Sequence, residues 1–314
     1  MYSIGIDLGG TNIAGGIVDA ENRIIVKKSV PTLSERPWET VLDDMAKLCG
    51  SLIKSAGLKR ENISHIGFGV PGAVDPKYGI LAFACNLNVR DQPLKAQIER
   101  LTGIPAFLEN DANAAALGEY LAGAAVGADV CVIVTLGTGI GGGIIAGGKV
   151  LGGSNNGAGE IGHMCIKVGG LKCSCGRLGC FEAYASASGL IAMARRAAKQ
   201  NPESLMRKIA GPRGAIMAKT VFEAMDQGDG AAHDVFKDYV RYLAEGLANL
   251  VNIFDPDMII IGGGISKQGE RLLIPVRAET AKLVYGGELR AKIVSAKLGN
   301  DAGIIGAARL QARG

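Results

Sequence analysis

Three cysteines and one histidine stand close enough in the chain to form a ligand set: His163, Cys173, Cys175 and Cys180. They lie in Gly157-Ala158-Gly159-Glu160-Ile161-Gly162-His163 and Cys173-Ser174-Cys175-Gly176-Arg177-Leu178-Gly179-Cys180-Phe181-Glu182. One imidazole and three thiolates complete a tetrahedral shell for Zn²⁺ and leave no position for water, the arrangement of a structural rather than a catalytic site. Two carboxylates beside them, Glu160 and Glu182, are not required by the metal. The Cys-x-Cys-x4-Cys spacing departs from the usual Cys-x2-Cys knuckle, and His163 supplies the fourth ligand that spacing alone lacks.

Two glycine turns suggest what else the chain binds. Asp7-x-Gly9-Gly10-Thr11-Asn12 puts a carboxylate at a strand end ahead of two residues without side chains. Such a turn lets backbone N–H groups close on a phosphate, with the Thr11 hydroxyl as a further donor and Asp7 placed for hydrated Mg²⁺. An ordinary hairpin turn is the competing explanation. Leu136-Gly137-Thr138-Gly139-Ile140-Gly141-Gly142-Gly143 is the second turn. Gly137, Gly139 and Gly142 satisfy G-x-G-x-x-G, but a strand follows where a dinucleotide site needs a helix. Gly143 to Lys149 mimics a P-loop, yet Val150 stands where Ser or Thr must hold Mg²⁺.

Glu109-Asn110-Asp111-Ala112-Asn113 ends a strand and opens a helix. Asp111 there is either a helix N-cap or a base accepting a proton from a substrate hydroxyl. Gly262-Gly263-Gly264 follows an aliphatic strand, offering a flat face to adenine or ribose or serving close helix–sheet packing. His65 and His233 read as structural, and Cys49, Cys85, Cys131 and Cys165 as buried free thiols.

The elements that position these residues follow from apolar spacing. Strands are expected at 2–7, 13–19, 24–30, 63–70 and 106–109, with helices at 38–56, 93–101 and 113–121. A strand–glycine turn–strand then recurs at 130–146. A shift of 128 aligns Leu8, Gly9, Gly15 and Ile17 with Leu136, Gly137, Gly143 and Ile145, so two similar domains are expected, with a boundary near 118–128. Residues 187–250 read as mainly helical, with Thr220 an N-cap and Glu223 completing its capping box. A long helix from 231 to 254, strands at 258–261 and 291–296, and a small-residue helix at 303–312 complete the chain.

Composition narrows the class. The 314 residues are 48% hydrophobic and 20% charged, which suits a globular chain of one large or two ordinary domains. Gly 47 is about twice the usual share of ~7%, spent on turns rather than repeats. A net charge of +4 without a block of five like charges gives no footprint for nucleic acid or an anionic membrane. Seven cysteines with a metal-type cluster suit a reducing cytosol. The opening Met1-Tyr2-Ser3-Ile4-Gly5-Ile6-Asp7 lacks a basic n-region. Val130 to Gly148 is uncharged, but its glycines mark strand, turn and strand rather than a membrane span.

Together, the turn at 7–12, Gly69-Val70-Pro71-Gly72, Glu109-Asn110-Asp111, the turn at 136–143, Gly159-Glu160-x-Gly162-His163, the cysteine run with Glu182 and Gly262-Gly263-Gly264 resemble the ROK family of sugar kinases and related repressors, close to its bacterial glucokinases. The resemblance implies an α/β fold of the actin/hexokinase-like (ribonuclease H-like) kind, duplicated into two domains with an interdomain cleft. Residues 1–120, joined by a C-terminal helix at 301–314, would form the small domain, and 121–300 the large one with the zinc loop. It implies an ATP-dependent hexose kinase acting on the 6-hydroxyl of glucose, with Asp111 as general base. Asn86, Asn110, Asp111, Glu160, His163 and Glu182 would grip the sugar. Asp7, Gly9, Gly10, Thr11, Asn12, Gly137, Thr138, Gly139, Gly262, Gly263 and Gly264 would hold ATP and Mg²⁺, and Zn²⁺ would be structural. His163 would bind zinc through one ring nitrogen and the sugar through the other. A homodimer or larger homo-oligomer in the cytoplasm is the family expectation, without nucleic acid or membrane as partner. N-acetylmannosamine, N-acetylglucosamine, fructose or allose are alternative substrates, a non-catalytic sugar sensor is the alternative class, and an NAD-dependent oxidoreductase comes third. Where the family often has Thr-Pro-Asn-Leu this chain reads Ala84-Cys85-Asn86-Leu87, keeping the asparagine. The family's repressors carry an N-terminal helix-turn-helix, and here the first strand is expected by residue 3.

Overall fold

Aliphatic runs bounded by glycine turns build the sheets. The computed structural model describes residues 1–211 and 214–311. It begins with β1 (Tyr2–Leu8), β2 (Asn12–Val18), β3 (Ile24–Pro31), α1 (Trp38–Ser55), β4 (Ile63–Val70), β5 (Ala73–Asp75), β6 (Ile80–Ala84), β7 (Val89–Gln92), α2 (Leu94–Thr102), β8 (Ala106–Asn110) and α3 (Asp111–Ala122). There follow β9 (Val130–Leu136), β10 (Ile140–Ala146), β11 (Lys149–Val150), α4 (Phe181–Ala185), α5 (Ala187–Gln200), α6 (Leu205–Ala210), α7 (Ala218–Asp226), α8 (Gly230–Phe254), β12 (Met258–Gly262), α9 (Glu270–Ala281), β13 (Lys292–Ser295) and α10 (Asp301–Ala307).

The first sheet has the order β3–β2–β1–β4–β8. Its hairpin strands β1, β2 and β3 pair antiparallel, whereas β1–β4 and β4–β8 pair parallel through helical crossovers. The second sheet, β11–β10–β9–β12–β13, repeats the same order of third, second, first, fourth and fifth strand. The α/β class and the duplication expected from the 128-residue shift are therefore present at the level of sheet topology. Ile4, Ile6, Leu8, Ile13 and Ile17 are fully buried. Trp38, Val41, Leu42, Met45, Leu48 and Leu52 of α1 join the same core. A small antiparallel sheet, β5–β6–β7, leads to α2. Among the described residues no helix is long and apolar enough to cross a membrane.

By contacts the chain forms two compact units. One holds Met1–Ile133, Gly143–Gly159 and the stretch from Ala296 onward; the other holds Val134–Gly142 and Glu160–Ser295. The dividing lines run through β9 and β10, beyond the residue-120 boundary read from sequence. In the first unit α10 lies directly on main chain. A Cβ on Gly5 would meet the Ile304 carbonyl oxygen at 1.8 Å, one on Gly67 that of Ala307 at 1.8 Å, and one on Gly306 that of Ala114 at 1.7 Å. Just ahead of this helix, Glu119 of α3, only 1% exposed, accepts the backbone N–H groups of Ala124, Lys297 and Leu298. Three backbone donors compensate a buried carboxylate and fix the chain's entry into α10.

Two local expectations are corrected. Helix α7 begins at Ala218 with Met217 as N-cap, and Thr220 sits inside it, its Oγ1 accepting the Met217 N–H at 3.1 Å. The final helix ends at Ala307, short of the predicted 303–312 and 301–314 spans; residues 312–314 lie outside the described residues.

The backbone contacts of α10 give a paired expectation. Gly67→Ala or Gly306→Ala should destabilise the protein by about 3 kcal/mol or more in urea unfolding, because backbone must move to admit the methyl group. Gly50→Ala, on an exposed helical position of α1 with no atom within 4 Å of the added carbon, should instead stabilise it by about 0.5–1 kcal/mol. Equal effects at the two kinds of site would contradict this packing.

Candidate active site

The first glycine turn is braced from β3's end. Gly9 N–H donates to Asn12 O at 3.0 Å, and Thr32 N–H to Thr11 O at 2.8 Å. The Thr32 hydroxyl donates to Gly9 O at 2.6 Å. Thr11 and Asn12 remain exposed. A Cβ on Gly10 would stand 3.2 Å from the Asn86 Cβ, so the turn and Asn86 are neighbours. Asn86 lies in the single 3₁₀ turn Cys85–Leu87, closed by Asn88 at φ 51°, a left-handed conformation that asparagine tolerates. That turn buries Leu87 and leaves Cys85 and Asn86 exposed. Cys85 is therefore not the buried thiol expected. Cys49 and Cys131 are buried and Cys165 is half-buried.

Asp7 is the penultimate residue of β1, beside this turn. Burial and then the negative charge of Asp111 push its carboxyl from the ordinary 3.8 to about 6, against a smaller lowering by Lys27. Gly303 of α10 faces it, and a Cβ there would lie 3.0 Å from the Asp7 Cγ.

The sequence leaves Asp111 as cap or base, and the structure gives the cap to its neighbour. Asn110 Oδ1 accepts the N–H groups of Ala112 at 2.9 Å and Asn113 at 3.2 Å, while its Nδ2 donates to Gly72 O at 3.2 Å. Asp111 is thus the first residue of α3, its Oδ1 2.8 Å from the Ala112 nitrogen. Glu109, 3% exposed, supports the junction by accepting the Asn110 N–H and the Asn113 Nδ2, both at 3.0 Å. Sequence reasoning gave Glu109 no task. Nothing in its spacing separates a buried brace from a surface acid.

In the second unit His163 closes the 3₁₀ turn Ile161–His163, its N–H donating to Glu160 O at 3.0 Å. The side chain of Glu160 is exposed. The four ligand atoms of His163, Cys173, Cys175 and Cys180 lie within 4.8 Å of one another. His163 Nδ1 is 3.7 Å from Cys173 Sγ, and Cys175 Sγ is 3.7 Å from Cys180 Sγ. Tetrahedral zinc with bonds near 2.3 Å places its sulfurs about 3.8 Å apart, so donor chemistry and spacing both fit. The knuckle is shaped by Cys173 N–H to Arg177 O at 2.8 Å and Gly176 N–H to Cys173 O at 3.0 Å. Gly179 has φ 83°, and a Cβ there would meet Lys167 O at 1.8 Å.

Glu182 is the second residue of α4, two positions after Cys180. Its Oε2 accepts the Ile140 N–H at 2.9 Å and its Oε1 the Ser174 hydroxyl at 3.2 Å. It therefore touches both the metal knuckle and the end of the second glycine turn. Gly137 N–H donates to Gly139 O, and Gly137 O accepts the Ala187 N–H at 2.9 Å; Thr138 lies between them. The glycines after β12 divide their tasks: a Cβ on Gly263 would meet Leu136 O at 2.4 Å, whereas Gly264 has open space. Close packing explains Gly263, and Gly264 presents the bare surface; Gly262 is buried at the strand end. His65 bonds Ser64 Oγ at 2.9 Å and Ala308 O at 3.0 Å, a structural histidine as expected, and His233 is exposed on α8.

Each unit thus carries its own polar set around a glycine turn. The first gathers Asp7, Gly10, Asn86, Asn110 and Asp111; the second gathers His163, the cysteines, Glu182 and the turn at 137–139. Comparison with known proteins places these sets in context. The ROK family model matches residues 3–313. A glucokinase of Streptomyces coelicolor is 39% identical over 313 residues, covering 98% of this chain and 96% of that protein. The crystal structure of a ROK family glucokinase from Streptomyces griseus in complex with glucose and AMPPNP is similar at a TM-score of 0.83 and 39% identity, over 100% of both chains. The xylose repressor of Bacillus subtilis is 31% identical over 284 residues, covering 90% of this chain and 70% of the repressor. The match to the family's pattern runs from the first strand to the last helix, and the chain belongs to the ROK family.

Proposed function

We propose that this chain is an ATP-dependent glucokinase that transfers the γ-phosphoryl group of ATP to the 6-hydroxyl of glucose. The observation that carries this is its full-length similarity to a ROK glucokinase whose structure holds glucose and AMPPNP. The repressor relative extends well beyond the aligned region, and no observation favours that role.

Phosphoryl transfer asks the protein mainly for alignment and charge neutralisation. Asp111 is the base: at the first position of α3 its carboxylate is relieved of sole capping duty by Asn110. The cap and the Gly72 contact occupy Asn110 except for one amide N–H, which is what it would offer the sugar. Asn86, Glu160, His163 and Glu182 complete the grip in this proposal. Asp7 would be the carboxylate for nucleotide-bound Mg²⁺, which would supply charge neutralisation at the phosphates. The turns at 9–12 and 137–139 and the open face at Gly264 would take the nucleotide. Zn²⁺ held by His163, Cys173, Cys175 and Cys180 would fix the loop that carries the sugar contacts. His163 Nδ1 faces the sulfur, which leaves Nε2 for a hydroxyl.

A coupled assay of ADP formation across glucose, N-acetylmannosamine, N-acetylglucosamine, fructose and allose tests the activity, with glucose expected as best substrate. No ADP with any sugar would revive a sensor. Asp111→Asn should bind glucose within a few-fold of wild type while turnover falls about 10²–10⁴-fold. Retained turnover would remove Asp111 from the mechanism.

Asp7 gives a pH dependence. Its carboxyl titrates near 6 when folded and at the ordinary 3.8 when unfolded, so its ionisation weakens folding as pH rises through that window. Without nucleotide, Asp7→Asn should gain stability relative to wild type from pH about 4 to about 6 and keep a constant lead above it. A difference independent of pH in thermal unfolding would contradict the burial of this charge.

Chelation should abolish glucose affinity at temperatures where circular dichroism still reports a folded protein. Unchanged affinity in a metal-free sample would refute the role given to the knuckle.

A further inference from the structure

The turn at 137–139 is tied at both ends to the segment that follows the cysteines. Its entry is held by Gly137 O accepting the Ala187 N–H. Its exit is held by the Ile140 N–H on Glu182 Oε2 at 2.9 Å. The fit at the exit is close, since a Cβ on Gly139 would lie 2.2 Å from the same oxygen. The other oxygen of Glu182 is held at 3.2 Å by the hydroxyl of Ser174, the residue between the ligands Cys173 and Cys175. One carboxylate thereby spans from the knuckle to the turn within a single compact unit.

We propose that Ser174 is a positioning residue through which the zinc knuckle holds the second nucleotide turn, so that metal occupancy sets nucleotide affinity even without sugar. This rests on reading 137–139 as a nucleotide turn and the cysteine set as a zinc site. Ser174 is exposed, so its hydroxyl serves neither core packing nor the fold of a helix. Its backbone is held by the turn around it, Cys173 N–H to Arg177 O and Gly176 N–H to Cys173 O, which passes through Gly176 at φ 91° with no neighbour within 4 Å. Four metal bonds would restrain that turn far more than two hydrogen bonds do. With the knuckle fixed, Ser174 aims Glu182, and Glu182 aims the Ile140 N–H and the turn before it. A carboxylate has about four acceptor sites; Ser174 and Ile140 take two, and Cys173 Sγ stands 3.7 Å from Oε1. A sugar hydroxyl can therefore join without breaking the link, and would bind a carboxylate already oriented.

The experiment titrates the full-length, zinc-loaded protein with Mg²⁺ and AMPPNP by calorimetry, without sugar, with zinc content measured in parallel. Ser174→Ala should retain zinc and fold but bind AMPPNP about tenfold more weakly, as for a lost hydrogen bond to a charged acceptor. Ser174→Thr should restore binding by restoring the hydroxyl. Chelation should weaken the wild type at least as much, and weaken Ser174→Ala little further. Arg177→Ala loses a contact with the His163 carbonyl but none with Glu182, and should bind AMPPNP as wild type does while zinc is retained. The proposal is overturned if zinc-loaded Ser174→Ala binds AMPPNP normally, or if Arg177→Ala is equally impaired. A wild type that binds AMPPNP yet phosphorylates no sugar would sink the glucokinase reading, and the Ser174 comparison would still decide this one.

Discussion

Where α10 crosses β1, β4 and α3, the carbonyl oxygens of Ile304, Ala307 and Ala114 occupy the space that Cβ atoms of Gly5, Gly67 and Gly306 would fill. Backbone lies on backbone there, and the ends of these elements bring two carboxylates together. Asp7 stands next to last in β1, Asp111 opens α3, and Gly303 of α10 leaves room for the Asp7 carboxyl. The two acids feel each other's charge because glycine lets their elements approach so closely. A bulkier helix at this position would part them, relax the raised Asp7 carboxyl and lose the alignment that phosphoryl transfer depends on.

The second unit solves a different problem with a different device. A knuckle of turns has little apolar surface of its own: Val168, Leu171 and Leu178 are largely exposed. Under the zinc reading proposed here it would depend on ligand bonds rather than on core burial. What it contributes outward is orientation. His163 and Glu182 flank the cysteines, and Glu182 joins the knuckle to the end of the glycine turn at 137–139 through one side-chain and one backbone donor.

Much of this was visible in the letters, for physical reasons that differ by feature. Glycine turns between aliphatic runs and a cysteine–histidine cluster are local signals, and both sheets and the ligand set were read from them. The α10 contacts were legible as a small-residue helix, though its C-terminal limit was not. One cap was misread and another left open because a cap depends on the direction from which the chain enters. Thr220 looked like a start signal but is the third residue of α7, and at Asn110-Asp111 two equally good capping residues stand side by side. Cys85 was expected inside because its flanks are apolar; the turn at Cys85–Leu87 rotates Leu87 inward instead. The support given by Glu109, and the link from Ser174 to Ile140, are tertiary hydrogen bonds. No spacing rule announces them.

In the proposed reaction Asp111 receives the proton of the sugar's 6-hydroxyl. A crystal structure of the zinc-loaded protein with glucose, Mg²⁺ and AMPPNP would decide this. An Asp111 carboxylate oxygen is predicted about 2.6–3.2 Å from the glucose O6, with O6 facing the γ-phosphate. Glucose bound with O6 turned away from Asp111, or paired with a different base, would contradict it.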